Sequence, residues 1–345
     1  MDIILIKSSD EKHFQILSLS GGGIRGLYTI QVLATLEEQL AEHHEDEGYC
    51  IGQHFDLISG TSIGGLIALG LANGVTARHI LKVMNENRLS IFPAKKSILK
   101  KFSAAFSTLY KQEPLKKLLK DIYGNATIGS LNTRIVIPTI NYSKGQVQIF
   151  KTPHCKQFKS DHVHSLVNIA LATSAAPTFF PIHEFNDSWY LDGGLAANSP
   201  AFIAIHEASY FLGVPLNKIR LLQVGTMGNK TTTNHKGAKN GGYILRWGFG
   251  RKLIEVCLSA TEGLHNYLAT HLLAANSEHL EIDMSPSQDQ CSVLELDNAS
   301  DEATKTLISC GKISAQEYCC NPIFEKIIAQ KANQPTFFHG ANRNV

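Results

Sequence analysis

His54-Phe55-Asp56-Leu57-Ile58-Ser59-Gly60-Thr61-Ser62-Ile63-Gly64-Gly65 reads as a buried strand running into a bend too sharp for bulky neighbours. Residues 54–59 are a short, largely apolar run of strand length. Gly60 and Gly64 let the backbone pass while Ser62 stands exposed at the tip, the strand-to-helix elbow on which α/β hydrolytic enzymes carry a nucleophile. Gly65-Leu66-Ile67-Ala68-Leu69-Gly70-Leu71-Ala72 follows, apolar on nearly every side. That predicts a helix running through the core.

Outward from the elbow the pattern repeats. Upstream, Phe14-Gln15-Ile16-Leu17-Ser18-Leu19-Ser20 predicts a first core strand, ending at Gly21-Gly22-Gly23-Ile24-Arg25-Gly26. Leu27, Ile30, Leu33, Leu36 and Leu40 then recur at helical spacing, with the acidic run Glu42–Glu47 closing the helix. Downstream, Arg134–Ile137 and Gln146–Phe150 predict strands joined by a hairpin through Ser143-Lys144-Gly145. A helix near 165–174, a strand Trp189–Asp192, a helix near 200–211 and a strand Arg220–Val224 follow. Strands alternating with helices give an α/β fold, a three-layer α/β/α core around a mainly parallel sheet. Residues 228–242 turn polar and glycine-rich, as a surface loop does. Beyond it come a helix with Leu253, Val256, Ala260, Leu264 and Leu268, a strand-like His279–Met284, and two short helical segments flanking Pro322. We divide the chain into a catalytic core, 1–225, with an insertion at 88–112, and a C-terminal extension, 226–345, packed on the same domain.

The bulk composition narrows the function. The 345 residues carry 43% hydrophobic side chains, ample for a sizeable core. A formal net charge of +2 generates no field that calls for a nucleic-acid partner. No run of about 18 apolar residues occurs, the length a membrane-spanning helix needs. Met1–Lys7 is too short and wrongly flanked for a signal peptide. The seven cysteines lack CxxC spacing, which fits reduced thiols in a cytoplasmic protein and gives no metal site.

Acyl transfer needs a nucleophile, a base, and donors aimed at the oxygen that becomes negative. Ser62 supplies the first. The glycine run supplies the third, since residues without side chains let backbone N–H groups face the site beside a helix N-terminus. Arg25 would add a fixed positive charge behind it. For the base, His206, His235, His265, His271, His279 and His339 all follow the elbow, yet none sits in the context that a Ser-Asp-His enzyme requires. Asp192, where a strand stops against Gly193 and Gly194, has that position. In direct contact with Ser62 it would form a two-residue machine, provided that desolvation raises its basicity. Trp189, Tyr190 and Leu191 lie beside it in sequence as apolar surroundings. Gly21, Gly23 and Gly26 also spell G-x-G-x-x-G after a strand, the dinucleotide fingerprint. That function wants an acid at the end of the second strand, where this chain has Ser59 and the elbow.

Gly21–Gly26, Gly60–Gly65, Ser174-Ala175-Ala176-Pro177 and Asp192-Gly193-Gly194, in this order over residues 14–225, resemble the patatin-like phospholipases. The resemblance implies a Ser62–Asp192 dyad and an oxyanion loop over Gly21, Gly22, Gly23, Ile24 and Arg25. It also implies lipid ester hydrolysis without a catalytic cofactor. The bacterial branch that the chain most resembles includes phospholipases switched on by cyclic dinucleotides in antiphage signalling. A cyclic dinucleotide activator, made by a partner nucleotidyltransferase, is therefore expected, with membrane phospholipid as substrate and a homo-oligomer allowed. The expected place is the cytoplasm, with peripheral association to the inner face of the membrane.

Arg88 to Gln112 fits such a substrate. Arg88, Lys95, Lys96, Lys100, Lys101 and Lys111 occur with no acid between Glu86 and Glu113, while Ile98, Phe102, Phe106 and Leu109 recur at helical spacing. A basic amphipathic helix can lie on an anionic membrane; a lid with its lysines in solvent is the equal alternative. Rival functions are an ungated soluble lipase or thioesterase and a non-catalytic lipid-binding or storage protein.

Overall fold

The computed structural model describes residues 12–93, 108–228, 251–274, 278–291 and 293–345. In chain order the main elements are β1 (Phe14–Leu19), α1 (Gly26–His44), β2 (Leu57–Gly60), α2 (Ile63–Ala72), α3 (Ala77–Ile91), α4 (Glu113–Tyr123), β3 (Arg134–Asn141), β4 (Gln146–Lys151) and α5 (Leu166–Thr173). They continue as β5 (His183–Phe185), β6 (Ser188–Asp192), α6 (Ala201–His206), β7 (Ile219–Val224), α7 (Arg251–Leu273), β8 (Glu278–Ile282), α8 (Asp301–Tyr318) and α9 (Pro322–Ile328). The sheet runs β5-β6-β3-β2-β1-β7-β8, with β4 also on β3. Its centre, β3-β2-β1-β7-β8, is parallel, and the β4, β5 and β6 pairings are antiparallel.

Strands buried on both faces need apolar residues on both, and these have them. On β1, Leu17 and Leu19 join the core formed with α1 to α5, α8 and α9, while Ile16 faces the other way. That second face packs Leu57, Val136, Ile219 and Leu221 against Ala201, Ala204 and Ile205 of α6 and Ala269 and Leu273 of α7. The layers are therefore unequal, a deep one and a thin one. α2 is buried along its length after Ile63, as its unbroken apolar character requires.

One edge decides where the site lies. The first half of β3 pairs with β2, Ser59 opposite Val136. β2 then stops, and the upper half of the same edge is taken by β6, with Asp192 opposite Thr139. Asp192 is thereby placed directly beyond the end of β2, where the chain turns into the elbow.

The structure departs from the sequence reading at four places. The strand into the elbow starts at Leu57, and Ile51–His54 is a 3-10 turn. Polar partners pin the residues between: the Asp56 carboxylate accepts from Gln15 N–H and Asn333 N–H, and His54 bonds the Gln330 carbonyl. The helix near 200–211 changes pitch to a π-helical turn over Glu207–Phe211, where Glu207 is drawn inside to pair with Lys151 and His154. The segment before Pro322 is an 18-residue helix, α8, capped by the Ser300 hydroxyl, not a short one. Finally, Leu253, Val256 and Leu264 of α7 face solvent, while Ile254, Ala269 and Leu273 are its buried residues.

Candidate active site

The elbow forms because Gly64 packs against backbone: a Cβ there would lie 2.3 Å from the Leu19 carbonyl oxygen. Ser62 itself has φ 54°, ψ −124°, the left-handed side of the map where a non-glycine residue is strained. Its N–H donates to Thr173 Oγ1 at 3.1 Å, and that hydroxyl donates in turn to the Pro138 carbonyl at 2.6 Å. The strained serine is thus held from α5 and β3 together.

Ser62 Oγ donates to Asp192 Oδ2 at 2.7 Å. The other carboxylate oxygen, Oδ1, accepts from the Gly194 N–H at 2.7 Å. Asp192 is 4% exposed, and burial pushes its carboxyl up to about 6 against the opposing pull of the Gly194 and Ser62 hydrogen bonds. A carboxylate destabilised by desolvation is a stronger base, which is what abstracting a serine proton requires.

Five loop residues, Gly21 to Arg25, are the expected oxyanion donors, and the geometry divides them. Gly21 N–H donates to the Asn198 carbonyl at 2.9 Å, Ile24 N–H to the Leu296 carbonyl at 2.9 Å, and Arg25 N–H to the Gly22 carbonyl at 3.2 Å. These three are engaged and leave the donor set. Among the described residues, Gly22 and Gly23 N–H have no acceptor, and both residues line the pocket above Ser62. Gly23 must be glycine: φ is +58°, and a Cβ would meet the Leu296 carbonyl oxygen at 2.2 Å.

Arg25 does not serve as an uncompensated positive charge. It is buried, which lowers its pKa, and it faces the Glu262, Asp283 and Glu255 carboxylates. Trp189 is half exposed and points away, so the apolar surroundings of Asp192 come from elsewhere. A pocket opens over Ser62 and Asp192, walled by Leu66, Met84, Phe92, Leu115, Phe180 and Ile254, among others. Its lining is mostly apolar, the chemistry that suits an acyl chain.

No histidine lines that pocket among the described residues. His265 bonds the Ser199 carbonyl, His271 the Tyr267 carbonyl and His339 the Lys156 carbonyl, while His206 is exposed and His279 is half-buried on β8. His235 lies outside the described residues, as do Lys95, Lys96, Lys100, Lys101, Phe102 and Phe106, expected at a membrane, and most of the 228–242 loop. Arg88, grouped with that basic stretch, belongs to α3, lines the pocket and pairs with Asp301. The supports that the sequence reading missed are Thr173, Asn198, Thr226 and Leu296. Thr173 directly precedes Ser174–Pro177, and that adjacency was a usable signal; the others touch the site only through the fold.

Comparison with known proteins bears on the same residues. A family model described as patatin-like phospholipase matches residues 17–205. The cGAMP-activated phospholipase of Vibrio cholerae serotype O1 is 37% identical over 341 residues, covering 92% of this chain and 96% of that one. Its namesake from Pseudomonas aeruginosa is 36% identical over 336 residues, covering 96% and 97%. A third, from Escherichia coli, is 36% identical over 320 residues, covering 89% and 90%. No described helix is long and apolar enough to cross a membrane.

Proposed function

Because the chain belongs to the patatin-like phospholipases, we propose that it frees fatty acids from membrane glycerophospholipids and is switched on by a cyclic dinucleotide. The observation that carries the chemistry is the 2.7 Å hydrogen bond from Ser62 Oγ to a buried aspartate at the floor of an apolar pocket. Three relatives that match nearly end to end are named cGAMP-activated phospholipases, which supports cGAMP as the first activator to try. A partner nucleotidyltransferase would supply it in antiphage defence. Association with the membrane would be peripheral.

In the proposed reaction Ser62 Oγ attacks the ester carbonyl as Asp192 takes its proton. The Gly22 and Gly23 N–H groups hold the oxygen that becomes negative, a role in which each donor contributes about 10²- to 10³-fold. The alkoxy C–O bond then breaks, and the leaving oxygen takes the proton from Asp192. Water, deprotonated by the same carboxylate, attacks the acyl-serine, releasing the fatty acid and restoring Ser62. The core 1–225 and the extension 226–345 would act as one body, since Leu296 and Thr226 hold the glycine loop.

The test is fatty-acid release from phosphatidylethanolamine–phosphatidylglycerol vesicles, with each of a panel of cyclic dinucleotides and with none. Release that depends on one nucleotide is the expected result. Equal release throughout would replace gating with a constitutive hydrolase. No release under any condition, with Ser62 unlabelled by a fluorophosphonate, would point to lipid binding without catalysis.

A further inference from the structure

Helix α7 reaches both halves of the catalytic arrangement through polar side chains. Asn198 grips Gly21, the first residue of the glycine loop, twice. Its carbonyl accepts from Gly21 N–H at 2.9 Å, and its Nδ2 donates to the Gly21 carbonyl at 3.2 Å. The same Nδ2 donates to Glu262 Oε2 of α7 at 2.9 Å. Two acceptors fix the amide orientation, because the flipped amide would set oxygen against oxygen at both. The neighbouring Thr261 donates to the Gly194 carbonyl at 2.9 Å, and Gly194 is the residue whose N–H holds Asp192 Oδ1. Leu258, one turn earlier on α7, lies over Gly194 and lines the pocket.

Asn198 is 2% exposed, so its contacts carry the geometry without competition from water. Burial raises the neighbouring Asp283 carboxyl, the Glu262 and Glu281 carboxylates raise it further, and the Met227 N–H bond and Arg25 oppose them.

We propose that Glu262, Asn198 and Thr261 are positioning residues, a relay by which α7 sets the loop donors and the Asp192 carboxylate against Ser62. The relay rests on the Ser62–Asp192 chemistry proposed above and adds to it. Glu262→Leu removes one of the two acceptors that orient Asn198, leaving only the Gly21 carbonyl. Displacing an oxyanion donor by a fraction of an ångström to an ångström costs up to about 10²-fold in rate. Glu262→Gln keeps an acceptor oxygen and recovers most of that loss.

The experiment uses the full chain with cGAMP present and a soluble p-nitrophenyl acyl ester as substrate. Active sites are titrated with a fluorophosphonate, and melting temperature is followed in parallel. For Glu262→Leu the expected result is a kcat lower by about 10- to 100-fold per titrated site with a KM within about threefold. Thr261→Val, which loses the Gly194 contact, should show the same kcat-dominated pattern at smaller size. Unchanged kcat per titrated site with a lowered melting temperature would make Glu262 a structural residue and overturn the relay. So would a Glu262→Gln enzyme as slow as Glu262→Leu. Ser62→Ala runs alongside: if it retains turnover, the dyad fails, whereas if it is dead and Glu262→Leu is fast, only the relay fails.

Discussion

α2 and α7 both border the pocket, and they meet solvent in opposite ways. α2 begins at the elbow and is wrapped on every side, with Ile67, Ala68 and Leu69 wholly buried. α7 gives Ile254 and Leu258 to the pocket but leaves Leu253, Val256, Leu264 and Tyr267 exposed. The difference teaches that apolar periodicity locates an amphipathic helix without saying which stripe is turned inward. α7 turns its polar stripe, Thr261, Glu262 and His265, toward the catalytic segment, because that segment offers bare backbone carbonyls and an amide that need partners.

The contrast can be broken most severely at the start of α2. Ser62→Ala should lower acyl-ester turnover by at least about 10³-fold, since the other serine lining the described pocket, Ser174, donates to the Ala170 carbonyl and not to a carboxylate; a residual rate near wild type at matched protein concentration would refute the dyad. Next in size, Leu69→Ala within α2 should cost about 2 to 5 kcal/mol in urea unfolding, the range for a fully buried leucine. A smaller loss would mean that α2 is less enclosed than described.

Asp192→Asn should abolish turnover and yet stabilise the fold. The native carboxyl, at about 6, lies above its ordinary 3.8, so ionisation opposes folding. Stability from the protonated group is fully present below the ordinary value and is lost as pH rises through the native one. The asparagine variant should therefore gain about 2 to 3 kcal/mol at pH 8, with the gain gone by about pH 3.5. Urea midpoints at the two pH values measure it. The same position of the carboxyl predicts that wild-type kcat falls about tenfold per pH unit below about pH 6, as the base becomes protonated. A rate flat from pH 7 to 5 would remove Asp192 as the base. At the small end, Leu264→Ser on the outer stripe of α7 should change stability by no more than about 0.5 kcal/mol. A loss like that of Leu69→Ala would show that this stripe is covered in solution.

Much of this was readable before the structure. The elbow, the glycine loop and Asp192 are local signals, short runs of telling residue types, and their order along the chain, with the family resemblance it carries, led to a serine–aspartate pair. The loop donors were legible only as a set, because which N–H groups stay open depends on the Leu296 and Asn198 carbonyls, far away in sequence. Trp189 was misplaced for a related reason. Strand alternation puts Tyr190 inside and Trp189 outside, and nothing local tells which parity faces the core. Asn198 and Glu262 carry no motif at all, since each matters only once the fold brings 21, 198 and 262 together.

The shared edge of β3 has a consequence for control. The proposed nucleophile and base are mounted end to end on one rail: β2, which leads to Ser62, takes its lower half, and β6, which ends at Asp192, its upper half. Pulling them apart would mean unzipping the middle of the sheet, the stiffest part of the molecule. An activator working on this enzyme therefore has little leverage over the distance between Ser62 and Asp192. Its purchase lies with what hangs on the rail from outside, the glycine loop moored to 198, 226 and 296 and the walls of the pocket. Under the proposed gating, the pair would idle fully assembled, and what an activator would regulate is whether an ester can reach it and have its oxygen held.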